Sequence, residues 1–403
     1  MRFKYEALNT KSGQKETGSI EASDITAAGH QLRQQGLTPT NVNPESGKSL
    51  GEFFSSLRSV SLKEKIVFIE DLAIMLKSGI GVSKGLHIIT SQNKNKKFQM
   101  VMQDIANGVE SGTALNAAMA KYPKIFSNIF VSMVKVGEVS GNLDKSLSYL
   151  SVQLEREADL KAKTKGAMIY PGVILSAMVL IGIVMSIFVL PKLTSIFNEF
   201  TGELPFTTKI IMGFANFMSG HAIVVLVGFA VFIFGFIFGL RTPMGQRMLD
   251  WFLLHAPPTK EIVKKINVAR FARVFSSLLK SGINVVEGLQ VSGESLGNSY
   301  YTEVLTLASE EVKLGKPITA VFDEHENLFP YIIVQMLKVG EETGTMETIL
   351  EQIAIHYEEE VDITMKNVSS IIEPVLLLII GGVVGFLALG LISPIYNISQ
   401  NIQ

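Results

Sequence analysis

The chain carries one pattern twice, 203 positions apart. Leu76-Lys77-Ser78-Gly79-Ile80 returns as Leu279-Lys280-Ser281-Gly282-Ile283. Met133-Val134-Lys135-Val136-Gly137-Glu138 returns as Met336-Leu337-Lys338-Val339-Gly340-Glu341. The pairs Gly85/Gly288, Gly112/Gly315, Phe126/Phe329, Gly141/Gly344, Pro171/Pro374 and Pro191/Pro394 keep the same offset. A register held over that distance means a duplicated domain rather than a short solenoid repeat. Each copy runs from a polar helical region into an apolar stretch, so the chain has to satisfy two solvents twice.

Length and composition narrow the options. A chain of 403 residues suggests two to three domains, and the polar part of each copy, 64–167 and 267–370, is long enough for its own core. Hydrophobic residues make up 47% of the chain and mean hydropathy is positive, which points to a bilayer as well as water. A net charge of −1 supplies no global field for nucleic acid. With no cysteine, neither a disulfide framework nor a cysteine-ligated metal is available. The stretch MRFKYEALNTKSG has no apolar core of the secretory-signal kind, so the amino terminus is expected to stay cytoplasmic.

Three apolar segments approach the roughly 20 residues that a helix needs to cross a bilayer: 168–190 and 222–240, both uncharged, and 371–392, uncharged from Val375 on and entered through Glu373. Lys and Arg cluster before the first (Arg156, Lys161, Lys163, Lys165) and after the second (Arg241, Arg247, Lys260, Lys264, Lys265, Arg270), whereas 191–221 holds only Lys192 and Lys209. Basic residues favour the cytoplasmic side. The expected order is a small amino-terminal module (1–45), a linker (46–61), cytoplasmic repeat 1 (62–167), transmembrane helix 1 (168–190) and a periplasmic hairpin (191–221). Transmembrane helix 2 (222–240), a cytoplasmic linker with repeat 2 (241–370), transmembrane helix 3 (371–392) and a short periplasmic tail (393–403) follow. The second span lets both copies lie on one side of the membrane.

Alternation in Phe3–Leu8, turn residues in Asn9–Gly13 and a return through Glu16–Glu21 predict a hairpin, then a helix over 25–35 capped by Asp24 and stopped by Gly36. Residues 44–61 read as a linker with a short helix at Leu50–Leu57. Helical periodicity begins at Leu62, with Ile66, Ile69, Leu72, Ala73 and Leu76 on one face. Further helices are expected at 83–93, 97–111, 113–121, 127–139 and 142–167, and again at 267–281, 286–296, 300–314, 316–324, 330–342 and 345–370. The fold class is thus an all-α membrane protein with two repeated cytoplasmic six-helix bundles, three transmembrane helices and a small α+β amino-terminal module. No strand–helix alternation supports a nucleotide-binding parallel sheet.

No complete catalytic motif emerges. Gly81-Val82-Ser83-Lys84-Gly85 matches the serine-hydrolase elbow in letters, but a helix precedes it and the second copy has no serine there. Gly47-Lys48-Ser49 lacks the glycine that a phosphate-binding loop needs, Val42 standing at its position. Asp323-Glu324-His325-Glu326 and His356-Tyr357-Glu358-Glu359-Glu360 lack metal-protease spacing and read as a solvated acidic face. Glu138 and Glu341 stand out because the duplication kept them, each just after a glycine (Gly137, Gly340) and three before another (Gly141, Gly344). They either cap amides of the next helix or make an interhelical, intersubunit or divalent-cation contact. Glu373, whose counterpart is Tyr170, either reaches back to the interface or acts within the span. Gly235/Gly239 and Gly381/Gly385 have the spacing that lets membrane helices approach closely, and Pro171, Pro191, Pro374 and Pro394 are expected to kink or end the spans. A transporter would need more intramembrane polar groups than Glu373.

The repeated LKSGI, the repeated KVGE-x-[ST]-G and the proline-flanked spans resemble the GspF/PilC family of inner-membrane platform proteins of type II secretion systems and type IV pili. Tyr5-Glu6-Ala7, Gly13, Gly18, Glu21-Ala22 and Leu32 to Pro39 are similar to that family's leading module, and Gly245, Asp250, Leu254 and Pro257 to its linker before the second copy. The resemblance implies a non-enzymatic, cofactor-free oligomer in the bacterial inner membrane. It implies a cytoplasmic hexameric assembly ATPase, pilin or pseudopilin subunits, other platform proteins and membrane lipid as partners, and no nucleic acid.

Overall fold

A computed structural model describes residues 2–9, 15–22, 25–44, 59–189, 192, 206–257 and 259–401. The linker helix expected at 50–57, the Gly47-Lys48-Ser49 echo, the Asp24 cap and Pro191 lie outside the described residues. In chain order the elements are β1 (Arg2–Asn9), β2 (Lys15–Glu21), α1 (Ile25–Gln34), β3 (Leu37–Pro44), α2 (Leu62–Lys77), α3 (Val82–Gln92), α4 (Lys96–Glu110), α5 (Leu115–Ala120) and α6 (Asn128–Ser140). Next come α7 (Leu143–Val184), which runs on into a π-helical turn at Met185–Val189, then α8 (Phe206–Gly220), α9 (Ala222–Gly239) and α10 (Pro243–His255). The second copy is α11 (Thr259–Lys280), α12 (Val285–Leu296), α13 (Ser299–Lys313), α14 (Ile318–Asp323), α15 (Tyr331–Thr343) and α16 (Met346–Asn401). Helices α12 to α16 start 203 residues after α3 to α7, so the duplication in sequence is a duplication of helical elements.

Two compact units form: Met1–Ser61 with Leu86–Asn107, and Leu62–Gly85 with Gly108–Gln403. In the first unit β2, β1 and β3 make an antiparallel sheet in that order. The third strand is an addition to the sequence expectation. β3 pairs Asn41 with Glu6 and Pro39 with Ala7, so Thr40 bulges out; the bulge and the edge position are what admit Pro39 into a strand. Ala7, Leu32 and Leu37 form a small buried cluster between sheet and α1. Along 86–107, Leu86, Phe98, Met102, Ile105 and Ala106 are buried, and the Asn95 side chain caps the first amides of α4.

In the second unit the repeated LKSGI resolves into a helix stop. Gly79 and Gly282 have φ of 81° and 88°, where only glycine is free of strain. The amides of Ile80 and Ile283 return to the carbonyls of Met75 and Leu278 at 2.9 and 3.0 Å, closing a six-residue Schellman turn around each glycine. The core of the second copy centres on Phe271, Phe275, Tyr301, Phe322 and Phe329, all fully buried, with the Phe322 and Phe329 rings stacked at 4.2 Å. Each such side chain contributes about 1.5–3 kcal/mol through burial. The Tyr301 hydroxyl donates to the Leu328 carbonyl at 2.8 Å, which satisfies its one buried polar atom.

The long helices differ from expectation. Pro171 lies inside α7, and α16 continues through Pro374 and Pro394 to Asn401, beyond the span end expected at Ile392. A proline forfeits one helical hydrogen bond, but in an apolar medium no solvent competes for the rest of the ladder, so the helix persists. The region expected as a plain hairpin, 191–221, contains helix α8. Both α7 and α16 are long and apolar enough to cross a membrane, and only 6% of each apolar window is buried by protein. Helix α9 has 18 residues and no charged side chain.

Packing between α11 and α16 is ionic as well as apolar. Arg273 holds Glu358 through two hydrogen bonds of 2.8 and 2.9 Å, with the side chains only 9% and 15% exposed. Lys265 reaches Glu360 at 2.8 Å and Lys280 reaches Glu351 at 2.5 Å. The expected solvated face at 356–360 is therefore partly an ion-paired seam, because basic residues of α11 lie opposite it. Removing one member of a buried pair costs roughly 3–5 kcal/mol.

In the first copy the positions of Arg273 and Glu358 are taken by Glu70 and Glu155. Burial, then a hydrogen bond and like charge from Glu155, push the Glu70 carboxyl above the usual carboxylate range, while Ser151 opposes and Asp71 adds to the rise. A carboxyl whose folded pKa exceeds its unfolded pKa binds its proton more firmly when folded. Its ionisation as pH rises therefore removes stability, and below the unfolded pKa nothing is lost. Glu70→Gln is expected to raise the unfolding midpoint of the detergent-solubilised protein near neutral pH, with the gain shrinking as pH falls through the carboxylate range. A gain that does not change with pH would refute this origin.

Candidate functional site

The polar positions kept by the duplication come together in two matching joints. Helix α6 ends at Gly141 and α15 at Gly344, with φ of 69° and 70°, and each chain turns sharply into the long helix that follows. The turn brings the helices close at the preceding glycine. A Cβ on Gly137 would lie 2.8 Å from the Ser146 side chain and 3.0 Å from the Leu143 backbone; one on Gly340 would lie 3.2 Å from Ile349. Gly137 and Gly340 are thus the contact points of α6 on α7 and of α15 on α16.

Glu138 and Glu341 leave the same turns in the other direction. Glu138 accepts from the amides of Leu115 and Asn116 at 2.5 and 2.9 Å. Glu341 accepts from the amide of Ile318 at 2.9 Å and from the Thr319 hydroxyl at 3.1 Å. Leu115 and Ile318 are themselves repeat equivalents. Each carboxylate caps the short helix that begins 22–23 residues before it, α5 or α14, and not the next helix as its sequence position suggested. The reason lies in what precedes those helices: Ala114 and Pro317 have no side chain that can cap, so the amides are supplied from a distance. Both oxygens of each glutamate are engaged, and among the described residues no group of three or more His, Asp or Glu could hold a metal ion.

The remaining candidates are dispersed. Glu373 is exposed on α16 and Tyr170 is exposed on α7. A Cβ added at Gly235, Gly239, Gly381, Gly382 or Gly385 would meet no described atom within 4 Å, so among the described residues nothing packs against these glycines. Ser83 sits in the first turn of α3, on a helix and not on a strand-to-helix elbow, and donates to the Glu110 carboxylate at 3.0 Å. Asp323, Glu324 and Glu326 are exposed, and His325 contacts the Val321 carbonyl through Nδ1 at 2.9 Å.

Sequence reading missed the seam between the two copies. Asn128 on α6 donates to Glu294 on α12 at 2.5 Å, and Lys135 lies 3.5 Å from Glu287. A cavity of about 40 Å³ beneath this seam is lined by Arg156, Glu157, Arg270, Arg273 and Glu358 among others. Asn128, Glu294, Arg156, Arg270 and Arg273 are not kept by the duplication, so no repeated motif flags them. The usable signal was charge reversal between equivalent positions, Glu70 against Arg273 and Lys84 against Glu287.

Replacing either capping carboxylate by alanine orphans helix amides at a cost of about 1 kcal/mol. Glu138→Ala is expected to speed hydrogen exchange at the Leu115 and Asn116 amides, and Glu341→Ala at Ile318, with a lower unfolding midpoint in each case. Unchanged exchange at these amides would refute the cap.

The family model described as type II secretion system (T2SS), protein F, matches twice, at residues 68–191 and 271–394. The model for the N-terminal domain of the same protein matches residues 1–43. The chain is 32% identical over 402 residues to the type IV pilus assembly protein PilC of Myxococcus xanthus, covering 100% of this chain and 96% of that protein. It is 31% identical to PilC of Thermus thermophilus, with 98% of each covered. It is 28% identical to the type II secretion system protein F of Aeromonas hydrophila, covering 93% of this chain and 97% of that one. Two glycine-jointed helical repeats, each leading into a long apolar helix at the residues the model matches, make the chain a member of the type II secretion system protein F family.

Proposed function

We propose that this protein is the inner-membrane platform of a type IV pilus machine. In this reading it couples a cytoplasmic hexameric assembly ATPase to the extraction of pilin subunits from the bilayer and their addition to the filament. The observation that carries the reading is full-length similarity to two proteins named type IV pilus assembly protein PilC, at 32% and 31% identity. The architecture supports it: α7 and α16 each belong to a folded helical domain at one end and run out as apolar helices at the other. The equivalent platform of a type II secretion system is the second reading, favoured by the family description and by the Aeromonas hydrophila relative.

The proposed arrangement has three spans, with both helical repeats cytoplasmic and the carboxyl terminus periplasmic. It follows from the basic residues around 156–165 and 241–270. The protein acts as a non-enzymatic homo-oligomer without a cofactor. Gly137, Glu138, Gly141, Gly340, Glu341 and Gly344 hold the short helices of each repeat against the long ones, so that a push on a repeat is passed to its span. Glu373 sits where α16 enters the bilayer, and the open glycine faces of α9 and α16 meet pilin helices or a second copy.

Deleting the gene is expected to abolish surface filaments seen by electron microscopy, with recovery on complementation; intact filaments together with lost protein secretion would select the type II reading. A reporter fused after Gln403 is expected to signal the periplasm. A cytoplasmic signal would overturn the three-span order.

A further inference from the structure

Helix α10 has no role in the reading above, yet it carries an exposed apolar stripe beside a face packed on the second repeat. It starts four residues after α9 ends at Gly239. The corner between them is closed tightly. The Thr242 hydroxyl donates to the Gly239 carbonyl at 2.7 Å and accepts from the Gly245 amide at 3.1 Å. A Cβ added at Gly245 would run into the Gly239 carbonyl itself. Wherever α9 ends, α10 therefore begins: three linking residues span at most about 14 Å even when extended, and here they are folded into a turn.

One side of α10 is fixed to the second repeat. Leu254 is buried in the core, Asp250 accepts from the amide and hydroxyl of Ser299 at 2.9 and 2.8 Å, and Arg247 pairs with Glu303 at 3.1 Å. These residues, at spacings of three and four, share one helical face. The adjoining outward face holds Met244, Met248, Trp251 and Phe252, which are 83%, 72%, 51% and 58% exposed. Trp251 is the only tryptophan in the chain. Basic groups flank this stripe. Arg241 is exposed at one end, with its guanidinium 5.9 Å from the Phe238 ring; at the other, His255, Lys260 and Lys264 line a cavity of about 340 Å³.

We infer that α10 is an interfacial helix lying flat on the bilayer leaflet from which α9 emerges. It buries Met244, Met248, Trp251 and Phe252 among the acyl-chain ends and sets its basic flanks against anionic headgroups. The occupant of the apolar face follows from continuity with α9, because the tight corner leaves that face beside the membrane surface. An amphipathic helix with an aromatic at the headgroup boundary and Lys or Arg alongside is the form suited to that place. The consequence is that the second repeat is held against the membrane at two points, through α16 and through α10, and cannot swing freely about one helix.

This inference rests on α9 being a span, and the test separates the two. The full-length protein is reconstituted into vesicles of equal parts phosphatidylcholine and phosphatidylglycerol, in which the phosphatidylcholine carries bromine either near the headgroup end of its chains or near their middle. Emission from native Trp251 is expected to be lost more to the shallow bromines than to the deep ones. In a Trp251→Phe background, Phe236→Trp or Phe232→Trp reports on α9 and is expected to show strong quenching by the deep bromines. Quenching of the α9 probe with none of Trp251 would overturn the interfacial placement and leave the span intact. Stronger deep than shallow quenching of Trp251 would overturn it too, since α10 would then be inserted. No quenching of either tryptophan would remove the span and the inference together.

Discussion

The structure depends on helices that serve two solvents without a break. Along α7, Leu147, Leu150, Leu154 and Leu160 are buried against protein, whereas Met168, Ile169, Val173, Leu180 and Ile181 are largely exposed. Along α16, Met365 is buried, Ile371, Leu377 and Leu378 are largely exposed, and beyond Met365 Leu376 still packs on protein. The hydrophobic term acts on both halves, but the shielding medium differs: protein on one side and, in this reading, lipid on the other. A continuous helix has no loop in which to lose a displacement, so it is stiff where a hinge would be soft. That is why prolines at 171, 374 and 394 within unbroken helices matter more than their number suggests.

The duplicated parts of the fold were legible because they answer to local backbone requirements. Gly79/Gly282 and Gly141/Gly344 have positive φ, a condition no other residue meets without strain, so each pair is kept and the helix ends can be read from the letters. On α2, Ile69, Leu72 and Ala73 are buried as their spacing indicated, while Phe68, outside that face, is buried as well. Other features depended on partners distant in sequence. β3 needed β1 beside it and a bulge to admit Pro39. The direction in which Glu138 reaches was hidden because the need it meets lies at Leu115, more than 20 residues earlier. The prolines were expected to kink or end the spans, and Pro171, Pro374 and Pro394 end neither helix.

The two copies share a skeleton but not a charge plan, and the difference is where they meet. Arg273–Glu358 closes the second copy with an ion pair, while Glu70 and Glu155 hold the same positions in the first with two acids. Across the seam, Lys135 of the first copy faces Glu287 of the second, whose own counterpart is Lys84. An unaltered duplicate would have set lysine against lysine. Opposite charge at equivalent positions makes the two copies different surfaces that fit each other, so the contact between α6 and α12 is heterologous and defines one order of the copies.

A heterologous contact leaves unlike faces unsatisfied. The face of α6 that meets α12 through Asn128 and Lys135 has its equivalent on α15, where Tyr331, Ile332 and Val339 are 64%, 60% and 53% exposed. Nothing described covers that apolar edge, whereas its copy on α6 is occupied: Ile129 is buried, and Asn128 stands where α15 has Tyr331. The asymmetry therefore separates two kinds of surface in one molecule: an internal seam that adds polar and charged pairs to apolar contact, and an outward edge of apolar and aromatic side chains. Surfaces of the second kind bind through burial and tolerate sliding, whereas bidentate and charge-paired seams fix geometry. A platform that must hold its own shape while its neighbours move needs the rigid contacts inside and the tolerant ones outside, and this chain distributes them in that way.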